Sequence, residues 1–306
     1  MAFGKSVAST EGFVVRRYTG VGSVFVKGVN PNKEELSAFY GREIENDPEY
    51  VSVSTTGLES VPQVRIQFLV ELDTSLKNQD GSPKYVNNDG TPIANFKNSV
   101  SFILTKSYRY NKDKTKVQVL DKFGYSGWAT KEQIQNHSQL LSSTGAPLRI
   151  TTSYRPAYSG EVELIEFIKT YLGIEEARAF IEGKWVNNPK VSLDDCECCL
   201  EHIEDYFKGD FSELKTITNL IPTNKVKVLF GVRTLEDGRL VQTAYNRHIL
   251  KNSVRDYSTL DKEIQEAKVA GRFATTEYDC TDLHEYTVSS TTFEESSSPT
   301  PASPWE

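Results

Sequence analysis

A run of alternating character, VRIQFLVEL at residues 64–72, is the sequence feature that most constrains the fold. Val64, Ile66, Phe68 and Val70 fall on one face of an extended chain, which predicts a strand with one buried side. Other runs of β-branched and aromatic residues accompany it, so the first half of the chain is predicted to be mostly strand. The predicted strands are Gly12 to Lys27, Val51 to Val53, Val61 to Asp73, Ser99 to Tyr110 and Lys116 to Leu120.

One helix is predicted among these strands. Asn30-Pro31-Asn32 supplies a turn and an N-cap, Lys33 to Phe39 are good helix formers, and Gly41 ends the segment. Farther along, Asp80-Gly81-Ser82-Pro83 and Asp89-Gly90-Thr91-Pro92 have the composition of tight turns, which predicts a short β-arm.

The hydrophobic period changes at Gly160. The segments EVELIEFIKTYLG, EEARAFIEG, LDDCECCLEHIEDYFKG and FSELKTITNLI are all typical of helices, which predicts a helical insertion up to Ile221. A hairpin of two strands is then predicted, followed by a helix and a last strand. Their ranges are Val226 to Thr234, Arg239 to Leu250, Leu260 to Ala270 and Thr275 to Val288.

The chain is therefore expected to be an α+β protein in three parts. Residues 1–159 and 222–287 would form a strand-rich, OB-fold-like β-barrel core, and residues 160–221 an acidic helical insertion. Residues 288–306 are rich in Ser, Thr and Pro, too polar to bury a core, and are expected to be disordered.

The net charge of −7 hides an uneven distribution. Residues 101–160 carry nine basic and three acidic groups, for +6, and residues 216–272 carry +4. Residues 161–215 carry −8, residues 1–100 carry −2, and the chain beyond Arg272 carries −7 with no basic residue. Basic strand-rich segments thus alternate with acidic helical or terminal ones, and the whole-chain charge does not exclude a nucleic-acid partner.

The most basic segment is also the most aromatic. Single-stranded nucleic acid exposes phosphates and unstacked bases, so its binders combine cations with flat rings, each stacked base contributing about 1 to 3 kcal/mol. This combination is expected on an OB-fold barrel. The candidate nucleic-acid-binding residues are Lys106, Tyr108, Arg109, Tyr110, Lys112, Lys114, Lys116, Lys122, Phe123, Tyr125, Trp128, Tyr154, Arg155 and Tyr158.

A second interpretation competes for each individual ring. An aromatic side chain in a β-rich segment commonly fills the core, and lysines commonly protect a strand edge from pairing with another chain. The local excess of positive charge favours binding for the cluster as a whole, because a core needs no such excess.

The chain end adds a separate candidate site. Trp305 lies in a solvated, acidic segment, and exposure to water does not stabilise its apolar ring. This position favours binding of the ring in a pocket of a partner protein. The candidate partner-binding residues are Phe293, Glu294, Glu295, Trp305 and Glu306.

Three stretches resemble one family. YTGVGSVFVKGVNPNKEELSAFYGREI, NKDKTKVQVLDKFGYSGWATKEQ and SYRPAYSGEVELIEFIKTYL are similar to the replication-module single-stranded-DNA-binding proteins of large tailed bacteriophages, the crAss-like group included. The resemblance covers roughly the first 175 residues. It implies an OB-fold that cradles single-stranded DNA along Lys106 to Trp128 and Tyr154 to Tyr158.

The resemblance also implies that Phe293 to Glu306 recruit a polymerase, helicase or primase, and that this tail can occupy the DNA groove when DNA is absent. The tail departs from the family pattern, because its last 18 residues contain only three acidic groups. Partner recruitment is therefore a weaker implication than DNA binding.

Catalytic motifs are absent from the sequence. It contains no GxxxxGK[ST], GxGxxG, HExxH or GxSxG pattern, so no enzymatic activity and no cofactor are predicted. Cys196, Cys198, Cys199 and His202 crowd one predicted helix, but zinc sites usually combine two separated ligand pairs. These cysteines are therefore predicted to be small, reduced, buried side chains, with Cys280 distant from them.

The leading hypothesis is a non-enzymatic protein that binds and protects single-stranded DNA during replication and recombination, with little sequence preference. No apolar run reaches the roughly 20 residues that span a bilayer, so no membrane partner is predicted. A cytoplasmic location is predicted, which for a phage protein is the host cytoplasm.

The alternative is a virion or adaptor protein on a β-sandwich scaffold, with the acidic helices as its contact surface. A double-stranded nucleic-acid binder is disfavoured, because the sequence has no recognition-helix pattern.

Overall fold

The structure is a computed structural model that describes residues 15–56, 59–174, 177–188, 201–220, 224–273 and 275–288. Its strands are β1 (Val15–Val29), β2 (Val51–Thr56), β3 (Glu59–Leu72), β4 (Lys97–Tyr108), β5 (Val117–Asp121), β6 (Ser126–Ala129), β7 (Tyr154–Pro156), β8 (Tyr158–Ser159), β9 (Arg178–Ile181), β10 (Lys184–Asn187), β11 (Lys225–Thr234), β12 (Leu240–Lys251), β13 (Glu277–Tyr278) and β14 (His284–Val288). Its helices are α1 (Lys33–Tyr40), α2 (Lys131–Gln135), α3 (Glu161–Leu172), α4 (Ile203–Tyr206), α5 (Ser212–Leu220) and α6 (Ser258–Val269).

The main sheet is antiparallel and curled. Its strand order is β12-β11-β1-β3-β4-β8, and β13, β14 and β2 pair with β11, β1 and β3 respectively. The curl brings β12 against β4, where the Asn246 side chain donates a hydrogen bond to the Ser101 carbonyl. The predicted strand-rich, barrel-like α+β core is confirmed, with nine strands in its main sheet against the five of an OB-fold barrel.

The alternating run predicted from the sequence forms the centre of this sheet. Val64, Ile66, Phe68 and Val70 of β3 are all buried, as the period-2 pattern requires. The predicted helix α1 is also confirmed, since Asn32 accepts a hydrogen bond from the Glu35 amide and completes a capping box.

Helix α3 fills the concave side of the sheet. The Phe167 ring lies 4.5 Å from that of Phe68 and 5.2 Å from that of Phe102, measured between centroids. Tyr206 of α4 and Leu214 of α5 are buried in the same cluster. The described helices of residues 160–221 therefore share the hydrophobic core of the strands instead of forming a core of their own.

The prediction of a helix over EEARAFIEG is wrong at residues 178–183, which form a strand and a turn. Here β9 and β10 form a hairpin, in which Phe180 pairs with Trp185. Glu182 and Gly183 both have positive φ, as a two-residue type I′ turn requires. A Glu-Gly pair is a weaker hairpin signal than Asn-Gly or Asp-Gly, and the helical spacing of the apolar residues concealed it.

Two predicted features lie wholly or partly outside the described residues. Residues 289–306, which contain the predicted disordered tail, and residues 191–200, which contain Cys196, Cys198 and Cys199, are not described. None of the described helices combines the length and the apolar character needed to cross a membrane.

Gly160 links β8 to α3 and has no room for a side chain. Its φ is +89°, and a Cβ atom there would lie 2.0 Å from the Ile103 carbonyl oxygen of β4. We expect Gly160→Ala to lower the free energy of unfolding by more than about 2 kcal/mol, because the backbone of two elements must shift. Urea denaturation followed by circular dichroism measures this change.

Gly173, at the other end of α3, provides the matched control. Its φ is +75°, but a Cβ atom at this position would have no neighbour within 4 Å. Gly173→Ala should therefore cost only the conformational penalty, about 1 kcal/mol. Equal costs at the two positions would contradict the close approach of Gly160 to β4 as the source of the larger loss.

Lys227 of β11 is a buried cation, and no described carboxylate is hydrogen-bonded to it. Its ammonium donates to the Val254 carbonyl and to the Tyr257 hydroxyl, the latter at 2.7 Å. Burial, with a smaller contribution from Arg255 and Lys84, lowers the pKa of Lys227 to about 8 from an ordinary value of 10.5. The folded protein therefore loses this proton at a lower pH than the unfolded chain does.

The free energy of unfolding should consequently rise as the pH increases from about 8 towards 10.5, the interval between the two pKa values of Lys227. Lys227→Met should remove this contribution to the pH dependence, whereas the exposed-site control Lys262→Met should retain it. Urea denaturation across the interval checks the difference, and parallel profiles for all three proteins would disprove it.

Candidate nucleic-acid interface

A small three-stranded sheet carries Trp128, Tyr154 and Arg155 on its strands and Lys122, Phe123 and Tyr125 in its β5–β6 turn. Its order is β6-β5-β7, and Gln118 of β5 pairs with Trp128 of β6. Two residues along β5, Leu120 pairs with Arg155 of β7. Because side chains two apart on a strand share a face, Trp128, Leu120 and Arg155 lie on the same side of this sheet.

The opposite side of the small sheet is packed. Val117, Val119, Ala129 and Tyr154 belong to a separate hydrophobic cluster with Leu140 and Ile150. On the other face, Gln118 and Leu120 of β5 are also buried, Leu120 in the main core, so that face is open only along β6. Trp128 is 37% exposed on that second face.

The connection from β4 to β5 presents three lysines on a tight turn. Lys112, Lys114 and Lys116 are exposed, and the described residues show no ion pair for any of them. Asn111 holds the turn, because its side chain donates to the Thr115 hydroxyl and accepts from the Lys116 amide. Tyr110, at the base of the turn, is 48% exposed.

A groove of about 690 Å³ lies between the small sheet and α4. Tyr108 and Tyr158, with the largely buried Tyr154, are its aromatic residues, Lys122 and Arg155 its cations, and Asp121, Glu201 and Glu204 its carboxylates. The groove thus combines aromatic surface with both signs of charge. Leu120, Ser153, Pro156 and Ile203 complete the lining.

Two tyrosines stack at one wall of the groove. Tyr108 and Tyr158 are directly paired across β4 and β8, with ring centroids 5.4 Å apart and planes 10° apart. The Tyr158 hydroxyl donates to the Glu204 carboxylate at 2.5 Å. Burial and this carboxylate raise the pKa of Tyr158 above its ordinary value, so the hydroxyl stays protonated. The Tyr108 ring remains 46% exposed, and one of its faces is therefore open to a ligand.

Carboxylates from α3 and α4 pair with three of the predicted binding cations. Arg155 forms a two-pronged ion pair with Glu161, Arg109 Nη1 lies 2.8 Å from Glu163, and Lys106 Nζ lies 2.7 Å from Glu204. Glu161 is fully buried and also accepts from the Tyr158 amide at 2.8 Å. The +6 segment is therefore partly neutralised by acidic groups from the −8 segment.

The structure distributes the predicted binding residues over three environments. Eight are exposed: Lys106, Tyr108, Tyr110, Lys112, Lys114, Lys116, Lys122 and Trp128. Four are partly buried: Arg109, Tyr125, Arg155 and Tyr158. The remaining two, Phe123 and Tyr154, are buried.

The prediction that Phe123 and Tyr154 stack on bases is corrected by their positions. Phe123 is 4% exposed within the main core, and Tyr154 is 7% exposed with its hydroxyl donating to the Gln133 and Ser138 carbonyls. Neither ring has an open face. Tyr125 also has a structural contact, because its hydroxyl accepts the Ala177 amide and Lys169 Nζ lies 4.4 Å from its ring centroid.

Sequence reasoning did not single out Glu161, Glu163 or Glu204 as parts of this site. Their types and spacing are those of ordinary solvated helix faces, and only the fold brings them to cations that precede them in the chain. The spacing of Glu161 from Arg155 was the one available signal, since a short turn can place the two side chains together.

The structure defines no binding site at the other predicted positions. Phe293, Glu294, Glu295, Trp305 and Glu306 lie outside the described residues. Within the described part of the chain, no group of three His, Cys, Asp or Glu side chains could hold a metal ion. His202 is described and lies 3.1 Å from Asp205, between Nδ1 and a carboxylate oxygen.

Comparison of the chain with protein-family models, with curated proteins and with solved structures gives no match. Its function must therefore be inferred from the geometry and the chemistry of the groove and of the small sheet.

The Arg155–Glu161 pair generates a stability prediction. Arg155→Met should lower the free energy of unfolding by about 2 to 3 kcal/mol, because it leaves the buried Glu161 carboxylate without its cation. The loss is expected near the lower end of the range for such pairs, because Arg155 itself is partly exposed. In Arg155→Met/Glu161→Gln part of this loss should be recovered, since the neutral amide oxygen still accepts from the Tyr158 N–H.

A double-mutant cycle by urea denaturation measures the coupling between the two side chains. Strictly additive effects of the two substitutions would show that the pair makes no specific contribution.

Proposed function

We propose that this protein binds single-stranded DNA without catalysis, along the 111–116 turn, the exposed ring of Trp128 and the groove between the small sheet and α4. The observation that carries the proposal is the presence, on neighbouring strands and turns, of exposed rings and of lysines that no described carboxylate pairs with. Tyr108, Tyr110 and Trp128 are each between 37% and 48% exposed, an unusual exposure for large rings. The turn lysines stand next to Tyr110.

These two kinds of side chain match the two exposed components of a single strand. Ammonium groups on the 111–116 turn can track a phosphate backbone, while flat exposed rings stack on bases of any identity. Stacking does not read hydrogen-bonding edges, so a small sequence preference follows. A double helix would hide its bases from these rings and is a poorer ligand for this surface.

The balance of charge supports moderate and salt-sensitive affinity. Of the nine basic groups at 101–160, three pair with carboxylates of α3 and α4, and the turn lysines remain for phosphate contact.

The role proposed for the protein is to coat and protect transient single strands during DNA replication and recombination. Recruitment of replication proteins by residues 293–306 belongs to the same proposal and rests on their composition alone.

The proposal predicts separate effects for the lysines and for the rings, measured by fluorescence anisotropy on labelled oligothymidylate over a range of salt concentrations. In Lys112→Gln/Lys114→Gln/Lys116→Gln, the slope of log K against log salt should become shallower by about 2, because each single-strand phosphate contact contributes about 0.7. In Trp128→Ala, affinity should fall about tenfold or more at unchanged slope, as expected when one stacked base is lost.

Two control variants match these changes in type. Lys77→Gln/Lys262→Gln/Lys268→Gln removes three lysines outside the interface, and Phe180→Ala removes a ring that is 52% exposed on the β9–β10 hairpin. Both should bind like the wild type apart from a general effect of net charge. Absence of salt-dependent binding by the wild-type protein would overturn the proposed function.

A protein–protein adaptor is the second candidate, favoured by one observation. The β9–β10 hairpin exposes Phe180 on one face and Ile181 and Val186 on the other, and exposed apolar side chains of this kind are typical of contact sites. An adaptor that acts through this hairpin would show no salt-sensitive affinity for the oligonucleotide, so the same titration separates the two candidates.

A further inference from the structure

Two hydrogen-bond donors converge on one carboxylate at the wall of the groove. The Lys106 ammonium lies 2.7 Å from Glu204 Oε2, and the Tyr158 hydroxyl lies 2.5 Å from Oε1 of the same side chain. Lys106 belongs to β4 and Tyr158 to β8, which are neighbouring strands of the main sheet. The donors are therefore positioned by the sheet, whereas the acceptor is supplied by α4.

Contacts besides those with the carboxylate also hold the two donors. Tyr158 is fixed by its stacking on Tyr108 and by an edge contact with Phe207, whose ring centroid lies 5.5 Å from its own. Lys106 Nζ lies 5.8 Å from the Phe207 ring centroid, which provides a second favourable contact for the cation. An ammonium and a hydroxyl held side by side suit an oxygen anion of either carboxylate or phosphate type.

We propose that Lys106 and Tyr158 form a phosphate subsite of the groove, and that Glu204 occupies this subsite until a phosphate of the DNA strand displaces it. The inference rests on the proposed function and deepens it, because it names an anion-binding position and an internal competitor. Glu204 would then oppose strand binding through its own negative charge as well as by occupying the donors.

Glu204 is the acid best suited to this exchange. Its side chain is 45% exposed, so its ion pair contributes little net stability and can be broken at small cost. Hydrogen bonds from Lys106 and Tyr158 lower its pKa, and it is charged at neutral pH. Glu161, by contrast, is fully buried and held by Arg155, so it cannot leave its position. Glu163 pairs with Arg109 at a different, 340 Å³ cavity.

Glu204→Gln tests the proposal directly in the oligothymidylate titration. The variant should bind threefold to tenfold more tightly than the wild type. Its slope of log K against log salt should also become steeper by about 0.7. In the wild type, Lys106 exchanges the Glu204 carboxylate for a phosphate, whereas in the variant its ammonium is unpaired before binding and the phosphate contact contributes in full to the slope. Glu34→Gln is the matched control, since Glu34 of α1 loses the same charge from a side chain that is 69% exposed.

Further variants identify the donors. Lys106→Gln and Tyr158→Phe should each weaken binding, and Tyr158→Phe retains the ring that stacks on Tyr108. Lys106→Gln/Glu204→Gln should show none of the gain of Glu204→Gln, because the gain requires a free ammonium. Thermal denaturation of each variant confirms that the fold is retained before affinities are compared.

The outcomes separate this inference from the proposed function. If the wild type binds with a salt-dependent affinity but Glu204→Gln changes neither affinity nor slope, or gains no more than Glu34→Gln, the subsite is disproved while the proposed function stands. If the wild type does not bind the oligonucleotide, the proposed function fails and the subsite fails with it.

Discussion

The concave face of the curled main sheet must be filled, and most of the structure depends on how that is done. A sheet that bends towards closure leaves an apolar hollow, which is stable only when side chains occupy it to normal packing density. Helix α3 supplies them, with Phe167 packed against Phe68 and Phe102. Because Gly160, the N-cap of α3, lies directly against the backbone of β4, the first turn of α3 is placed beside the basic strands.

This placement determines the electrostatics of the groove. Glu161 and Glu163, in the first turn of α3, reach Arg155 and Arg109, while α4 brings Glu204 to Lys106. The acidic and basic segments thus neutralise each other in part, as their opposite charges allow. The lysines of the β4–β5 turn keep their positive charge exposed, because no described carboxylate of α3 or α4 pairs with them.

Much of the fold was predictable because its signals are local. The alternation around Phe68, the Asn32 cap and the hairpin at Gly238 each depend on a few neighbouring residues, and the structure has all three. The β9–β10 hairpin was missed because its Glu182-Gly183 turn has an uncommon composition and the flanking residues also suit a helix. The sharing of one core by strands and helices involves contacts between distant segments, which no local pattern encodes.

The candidate site shows the same division. Exposed Trp128, Tyr110 and the turn lysines match the predicted combination of rings and cations, whereas Phe123 and Tyr154 are core residues. Composition cannot distinguish these cases, because a ring suits a core and a binding surface equally well and only the direction of each side chain from its strand separates them.

By itself, the sequence determined the strand-rich α+β class, the alternation of basic and acidic segments, and the abundance of aromatic residues near the cations, since all three follow from residue type and period. Only the tertiary structure decided which rings face solvent, which cations already have a carboxylate partner, and that Glu204 lies on Lys106 and Tyr158. The physical reason is distance along the chain: burial and most of these ion pairs arise between segments that folding brings together, as for Lys106 and Glu204, which are 98 residues apart.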